Sequence, residues 1–208
     1  IWYRNTWSWG YDRPKPVMRA TTNCNTAAVH LEHRHLGERW WYVFAPGEAP
    51  PPLLFTENET NAERLFDAPN ASDYVKDGIN DAVVHQQTDR NNPEQRGTKV
   101  AAHVRTVIAP GEAYTVKVRF SPEPKPSPCA DFDDVFDQRL REANAFFDAL
   151  HAPDMSEDER RVQRQALAGL MWSKQFYHYS VELWLQGDPA GPPPPEGRGR
   201  NADWEHLY

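Results

Sequence analysis

The pattern of apolar and polar positions changes character once along the chain. Up to about residue 122 the apolar positions fall in short runs rich in β-branched and aromatic residues: "IWYRNTW" (1–7), "VMRATT" (17–22), "AAVHLEH" (27–33) and "RWWYVFA" (39–45). Turn formers such as Gly10, Pro16, Asn23, Gly37 and Pro46 separate them, and that punctuation predicts strands. In the stretch 99–120, Val116, Val118 and Phe120 alternate with Lys117 and Arg119, the period of a half-buried strand. Pro110 and Gly111 offer a turn, so this stretch predicts a hairpin. Many short strands with regular turns point to a β-sandwich. The segment 59–78 interrupts them and reads as a long loop carrying a helical turn or two.

After "SPEPKPSP" (121–128), a Pro-rich spacer, the period becomes helical. Val135, Phe136, Leu140, Ala143, Phe146, Phe147 and Leu150 mark one face. Ser156 with Glu159 forms a capping-box pattern that opens a second helix. Its apolar positions Val162, Ala166, Leu167 and Leu170 lead into "MWSKQFYHYSVELW" (171–184), and Gly187 and Pro189 end it. The predicted organisation is mixed β then α: 1–122 as the end of a β-sandwich domain, 123–130 as linker, and 131–208 as helices.

The stretch 171–184 has no clean wet face. Trp172, Phe176, Tyr177, Tyr179 and Trp184 surround Lys174, Gln175 and His178. Such a helix is either deeply buried or lines a pocket. Two helices cannot bury rings pointing in every direction, so a packing partner beyond Tyr208 is expected. With Ile1 at the start and Met18 as the first methionine, the chain reads as an internal piece of a longer protein.

Composition narrows the function classes. The 208 residues carry a net charge of −7 and no basic stripe, which argues against a nucleic-acid partner. No run approaches the roughly 20 apolar residues of a membrane helix. Aromatics at 12%, with eight Trp, argue against disorder. Cys24 and Cys129 do not make a disulfide framework. Asn58 ("NET") and Asn70 ("NAS") fit the glycosylation acceptor pattern, which leaves the compartment open.

Most catalytic constellations are missing. His30, His33 and His35 sit close in sequence, but a strand would aim His30 away from the other two, so they read as solvated histidines. Neither a CxxC or HExxH metal pattern, nor a nucleophile elbow, nor a phosphate loop occurs, and no cofactor is expected. Glu57, Glu59 and Glu63 could supply an acid and a base for a glycosidic bond, though nothing in their spacing selects a pair. Sugars present apolar faces and a hydroxyl rim, which rings and polar groups together recognise. Trp172, Lys174, Gln175, Tyr177 and His178 supply that mixture, with core packing as the plainer alternative. Trp2, Trp7, Trp9, Trp40 and Trp41 are expected in a core or an inter-domain seam.

Six segments carry a resemblance: "RNTWSWG" (4–10), "LLFTENETNAERLF" (53–66), "ASDYVKDGIND" (71–81), "GTKVAAH" (97–103), "SEDERRVQRQALAGLMWSKQFYHY" (156–179) and "RNADWEHLY" (200–208). In this order they resemble bacterial members of glycoside hydrolase family 63, relatives of the processing α-glucosidase. The resemblance implies the end of a β-sandwich domain followed by the first helices of an (α/α) toroid. It implies inverting hydrolysis of α-glucosidic bonds, with an oligosaccharide or glucoside as substrate and the rest of a parent chain as partner. The family's general acid, an Asp in a Trp-Asp motif, would follow the region matching "RNADWEHLY", and its general base lies further on. No catalytic residue is therefore assigned here. "WSKQFYHY" would open the toroid, making Trp172, Lys174, Gln175, Tyr177 and His178 substrate-binding candidates. Ser180 stands where the family pattern "YHYDV" has Asp, which removes any carboxylate role at that position.

Overall fold

The structure is a computed structural model, and it describes residues 1–8, 13–21, 26–47, 49–174, 179–187, 192–197, 199 and 201–206. The chain is mixed β then α, a sheet region followed by helices. It divides into two compact units, residues 1–129 with 186–196, and residues 130–185 with 197–208.

The first unit holds seven strands among the described residues: β1 (Val17–Thr21), β2 (Ala27–His33), β3 (Gly37–Phe44), β4 (Leu53–Thr56), β5 (Arg96–Gly97), β6 (Lys99–Ala102) and β7 (Lys117–Ser121). Five form an antiparallel sheet in the order β5-β1-β2-β3-β7, and β4 pairs with β6 in a second sheet. Side chains alternate between the faces of a strand. One face of the larger sheet therefore collects Met18, Val29, Leu31, Trp41 and Val43, and these share a core with Phe55 and Val100 of the smaller sheet. Met18, Val29, Phe55 and Val100 are almost completely buried. Each such burial stabilises the unit by about 1.5–3 kcal/mol.

The backbones of the two sheets approach closely at Gly97. A Cβ there would stand 2.3 Å from the Thr56 carbonyl oxygen. Glycine is the residue that permits such an approach.

The expected hairpin over 99–120 does not form. Pro110 and Gly111 do make a turn, with the Glu112 N–H donating to the Ala109 carbonyl at 3.1 Å and Gly111 at φ 78°. The chain on either side of the turn has no buried face; Val107 is 96% exposed and Ile108 54%. Instead β6 sets Val100 opposite Phe55 of β4, inside the core. β7 goes to the other sheet, with Phe120 opposite Trp41 and Val118 opposite Val43. Burial of Val100 thus decides the pairing over the local turn. The opening "IWYRNTW" also departs from a strand. Its first three residues do lie antiparallel to β6, with the Tyr3 N–H donating to the Thr98 carbonyl and the Val100 N–H to the Ile1 carbonyl, both at 2.9 Å, but a 3₁₀ turn occupies Thr6–Ser8.

Between β4 and β5 lie two helices, α1 (Ala62–Phe66) and α2 (Gly78–His85). The second unit contains α3 (Phe132–Asp148), α4 (Glu157–Ser173) and, up to Leu185, α5 (Val181–Gln186). The capping box forms as the sequence implies: Ser156 accepts from the Glu159 N–H, and the Glu159 carboxylate accepts from the Ser156 N–H at 2.8 Å. The Ser156 hydroxyl, donating to that carboxylate at 2.7 Å, and then the Ser156 N–H hold the Glu159 carboxyl below its ordinary range. Arg164 on α4 joins α3 by donating to Asn144 at 2.7 Å and lying 4.8 Å over the Phe147 ring.

The second predicted helix does not run through to Gly187. It ends at Ser173, and Lys174 turns out of helical backbone at ψ 89°. The Ser173 hydroxyl donates back to the Leu170 carbonyl at 3.0 Å, a bond that competes with the helical ladder. Helix resumes at Val181, where the Ser180 hydroxyl accepts from the Leu183 N–H at 3.4 Å in the manner of an N-cap.

Candidate functional site

The densest polar constellation among the described residues lies where β4 runs into the loop that follows it. Asn58 donates through Nδ2 to the Tyr3 carbonyl at 2.9 Å and to Asn5 Oδ1 at 3.0 Å. Asn5 Nδ2 donates in return to the Asn58 carbonyl at 2.9 Å. The Asn58 N–H is taken by the Thr98 hydroxyl oxygen at 2.8 Å, and that hydroxyl donates to Glu57 Oε2 at 2.6 Å. Three stretches far apart in sequence are thereby fastened together before any ligand arrives.

Glu57 and Glu59 are held by the same network. The Trp7 indole donates to Glu59 Oε1 at 2.9 Å. Lys15 Nζ stands 2.7 Å from Glu59 Oε1 and 3.1 Å from Glu57 Oε2, and 5.6 Å above the Trp7 ring. One ammonium thus serves two carboxylates, an arrangement that offsets their mutual repulsion.

Asparagines also frame the rest of the loop. Asn61 caps α1 by accepting from the Arg64 N–H at 3.0 Å. Asn70 Oδ1 accepts from the Ala62 and Glu63 N–H groups at 2.7 and 3.2 Å. Asp77 takes the Asn61 amide at 3.0 Å and the Arg64 guanidinium at 3.3 Å. Asn91, buried, donates to the Gly78 carbonyl at 3.0 Å. Both asparagines of the glycosylation-like tripeptides, Asn58 and Asn70, thus spend their side chains on the fold.

Two cavities open beside this loop. One, of about 660 Å³, is lined by Lys15, Glu57, Asp73, Tyr74, Asn92 and Arg96, among others. The other, of about 360 Å³, is lined by Asn61, Arg64, Asp77, Asp81 and Arg90, and shares Asn70 and Asp73 with the first. Nearby, Lys99 donates to the Lys76 carbonyl at 3.2 Å. Its ammonium titrates below the ordinary lysine range, first through burial and then through the charge of Lys76.

In the second unit, Trp172 lies in the last turn of α4 and is 81% exposed, and Lys174 caps that helix. Both line a hollow of about 530 Å³ with Phe147, Ala168 and Met171. Gln175, Tyr177 and His178 lie outside the described residues. The tryptophans of the first unit divide three ways. Trp41 is in the core, Trp7 packs against it, and Trp2 is 66% exposed. Trp40 sits on the outer face of the sheet with its ring 4.9 Å from that of His30. Trp9 is outside the described residues.

His30 is not the solvated histidine the sequence suggested. It is half-buried against Trp40, with Glu38 3.3 Å from its Nε2 and Glu32 3.8 Å from its Nδ1. His33 stacks on Tyr3 at 5.4 Å, and its Nδ1 accepts the His35 and Leu36 N–H groups at 3.3 Å. Its pKa is lowered by burial, then by His35 and Arg34. Among the described residues no three His, Cys, Asp or Glu side chains group to hold a metal. No helix among them is long and apolar enough to cross a membrane.

Asn5, Lys15, Tyr74 and Thr98 were not singled out by their sequence pattern, and Trp7 was expected only as a packing residue. The crowding of asparagines in "RNTW" and "TENETN" was the available signal, since buried amides demand partners.

Along its whole length the chain is similar to the uncharacterized protein YMR196W of Saccharomyces cerevisiae, with 34% identity over 243 aligned positions. The chain spans 22% of that protein. No family model matches the chain, and no solved structure matches it significantly.

Proposed function

We propose that the chain is a segment of a glycoside hydrolase of family 63 type, one that hydrolyses α-glucosidic bonds by inversion. In this reading the first unit is the end of a β-sandwich domain and the helices open an (α/α) toroid. The observation that carries the proposal is the interlocking of "RNTWSWG", "LLFTENETNAERLF" and "GTKVAAH". These three segments of the resemblance meet through Asn5, Trp7, Glu57, Asn58, Glu59 and Thr98.

The network also bears on where the chemistry can occur. An inverting acid and base need carboxyl groups free to trade protons across a gap of about 6.5–9.5 Å. Glu57 and Glu59 instead share one lysine, and each accepts a further hydrogen bond. This supports reading the acid and base as residues other than Glu57 and Glu59, outside this chain, with Trp172 and Lys174 as candidates for contact with substrate. The engaged carboxylates also favour the alternative, a non-catalytic carbohydrate-binding or structural module.

An α-glucoside panel separates the two. The expected result is hydrolysis, with the β-anomer released first, by the chain extended to the length of the yeast relative, and none by the 208 residues alone. Hydrolysis by the 208 residues would return the acid and base to Glu57, Glu59 and Glu63. Inactivity of the extended protein would leave the module.

A further inference from the structure

We infer that the larger cavity beside the β4–β5 loop is a binding trough for a neutral oligosaccharide, holding α-linked glucose units away from the bond that is cut. The choice of sugar rests on the glycosidase reading; the choice of a neutral polyol rests on the walls. Lys15, ion-paired with Glu57, and Arg96, ion-paired with Glu94, line one space of about 660 Å³ together with Asp73, within the range of small-molecule sites. A ligand of either charge would meet its own sign on part of the wall. A hydroxyl both donates and accepts, so a chain of hydroxyls can use every group there.

The groups on offer have capacity left over. An ammonium has three donors, and the two carboxylates Glu57 and Glu59 leave Lys15 one of them. Among the described residues the Asp73 carboxylate and the Tyr74 phenol take part in no hydrogen bond or ion pair. Arg96 gives only its Nε to Glu94, at 2.7 Å, which leaves the two terminal nitrogens of its fork. Tyr74 adds an aromatic ring to the lining, an apolar face against which a pyranose can lie.

The walls are also set in advance. The Tyr74 carbonyl accepts the Glu57 N–H at 2.8 Å. Asn92 donates to the Arg96 carbonyl and accepts from the Glu94 N–H. Binding would therefore order little of the loop, which favours affinity. The smaller cavity shares Asn70 and Asp73 with the trough, so a longer chain could continue past that wall.

The test is a calorimetric titration of the folded 208-residue chain with maltotriose and isomaltotriose, and with cellotriose as the β-linked comparison. Saturable binding of an α-linked trisaccharide is expected, weakened about tenfold by Tyr74→Ala and by a similar factor in Arg96→Ala. Should Tyr74→Ala disturb folding, Arg96→Ala carries the decision, because that side chain is 55% exposed. No saturable binding, or binding that Arg96→Ala leaves unchanged, overturns the trough. Cellotriose bound as tightly overturns the α-linked assignment. Binding needs no catalytic carboxylate, so the two proposals fail separately. A chain that binds but whose extended form does not hydrolyse keeps the trough and loses the glycosidase. Hydrolysis by the extended form without binding by the chain does the reverse.

Discussion

The loop after β4 and the end of α4 are both dense in polar and aromatic groups, yet they are built in opposite ways. In the loop, the polar groups around Asn58 are matched: Asn58 alone engages Tyr3, Asn5 and Thr98. Around α4 the apolar side chains outnumber their partners. Phe136 and Leu170 are each 62% exposed, and Trp172 more so. A closed network fixes a shape by itself, because a buried polar group costs about 1–3 kcal/mol when left unpaired. An open apolar face fixes nothing until something covers it. The first region is held by its own polar groups, and the second keeps large apolar side chains exposed.

Substitutions can sharpen or break that contrast. The largest effect is expected from Gly97→Ala, which drives a methyl into the Thr56 carbonyl at 2.3 Å. A loss of about 3 kcal/mol or more in urea unfolding should follow. A loss under about 1 kcal/mol, the size of an ordinary substitution, would mean the two sheets are not locked where they meet.

Next comes Tyr3, whose phenol is pushed up to about 12 by burial and secondarily by Glu32. Its folded value lies above its unfolded one. The stability it contributes is therefore complete below about pH 10 and lost as pH rises toward 12. Wild type should lose about 2 kcal/mol more than Tyr3→Phe between about pH 9 and pH 12. Parallel curves would show that Tyr3 titrates as an ordinary tyrosine.

In the helical unit, Ser156→Ala should cost about 1 kcal/mol by removing the cap of α4, visible as lower helicity on heating. The smallest effect has the opposite sign. Gly169 sits inside α4, and a methyl added there would meet nothing within 4 Å, so Gly169→Ala should stabilise by about 0.5–1 kcal/mol. Destabilisation there would mean that another surface packs on this side of the helix.

The sequence disclosed what is local and concealed what is tertiary. The capping box at Ser156 and Glu159, and the face from Val135 to Leu150, depend on neighbours three and four residues away, and both could be read directly. The hairpin expected at 99–120 had a true turn at Pro110–Gly111, but its strands found better partners in Phe55 and Trp41. The break at Lys174 escaped notice because an aromatic run satisfies a helical template and a non-helical one equally well. Of the candidate site, the carboxylates Glu57 and Glu59 were visible, but their captor Lys15 lies more than forty residues upstream. Only the fold brings it there.

The strand order of the larger sheet has a kinetic consequence. β1, β2 and β3 follow one another and pair in sequence, so that meander can form early. β5 must return to β1, and β7 to β3, from beyond the loop that carries α1 and α2. Those closures lose chain entropy before burial of Phe55 and Val100 rewards them. The first unit is accordingly a high-contact-order folder, with refolding expected in about milliseconds to seconds rather than microseconds.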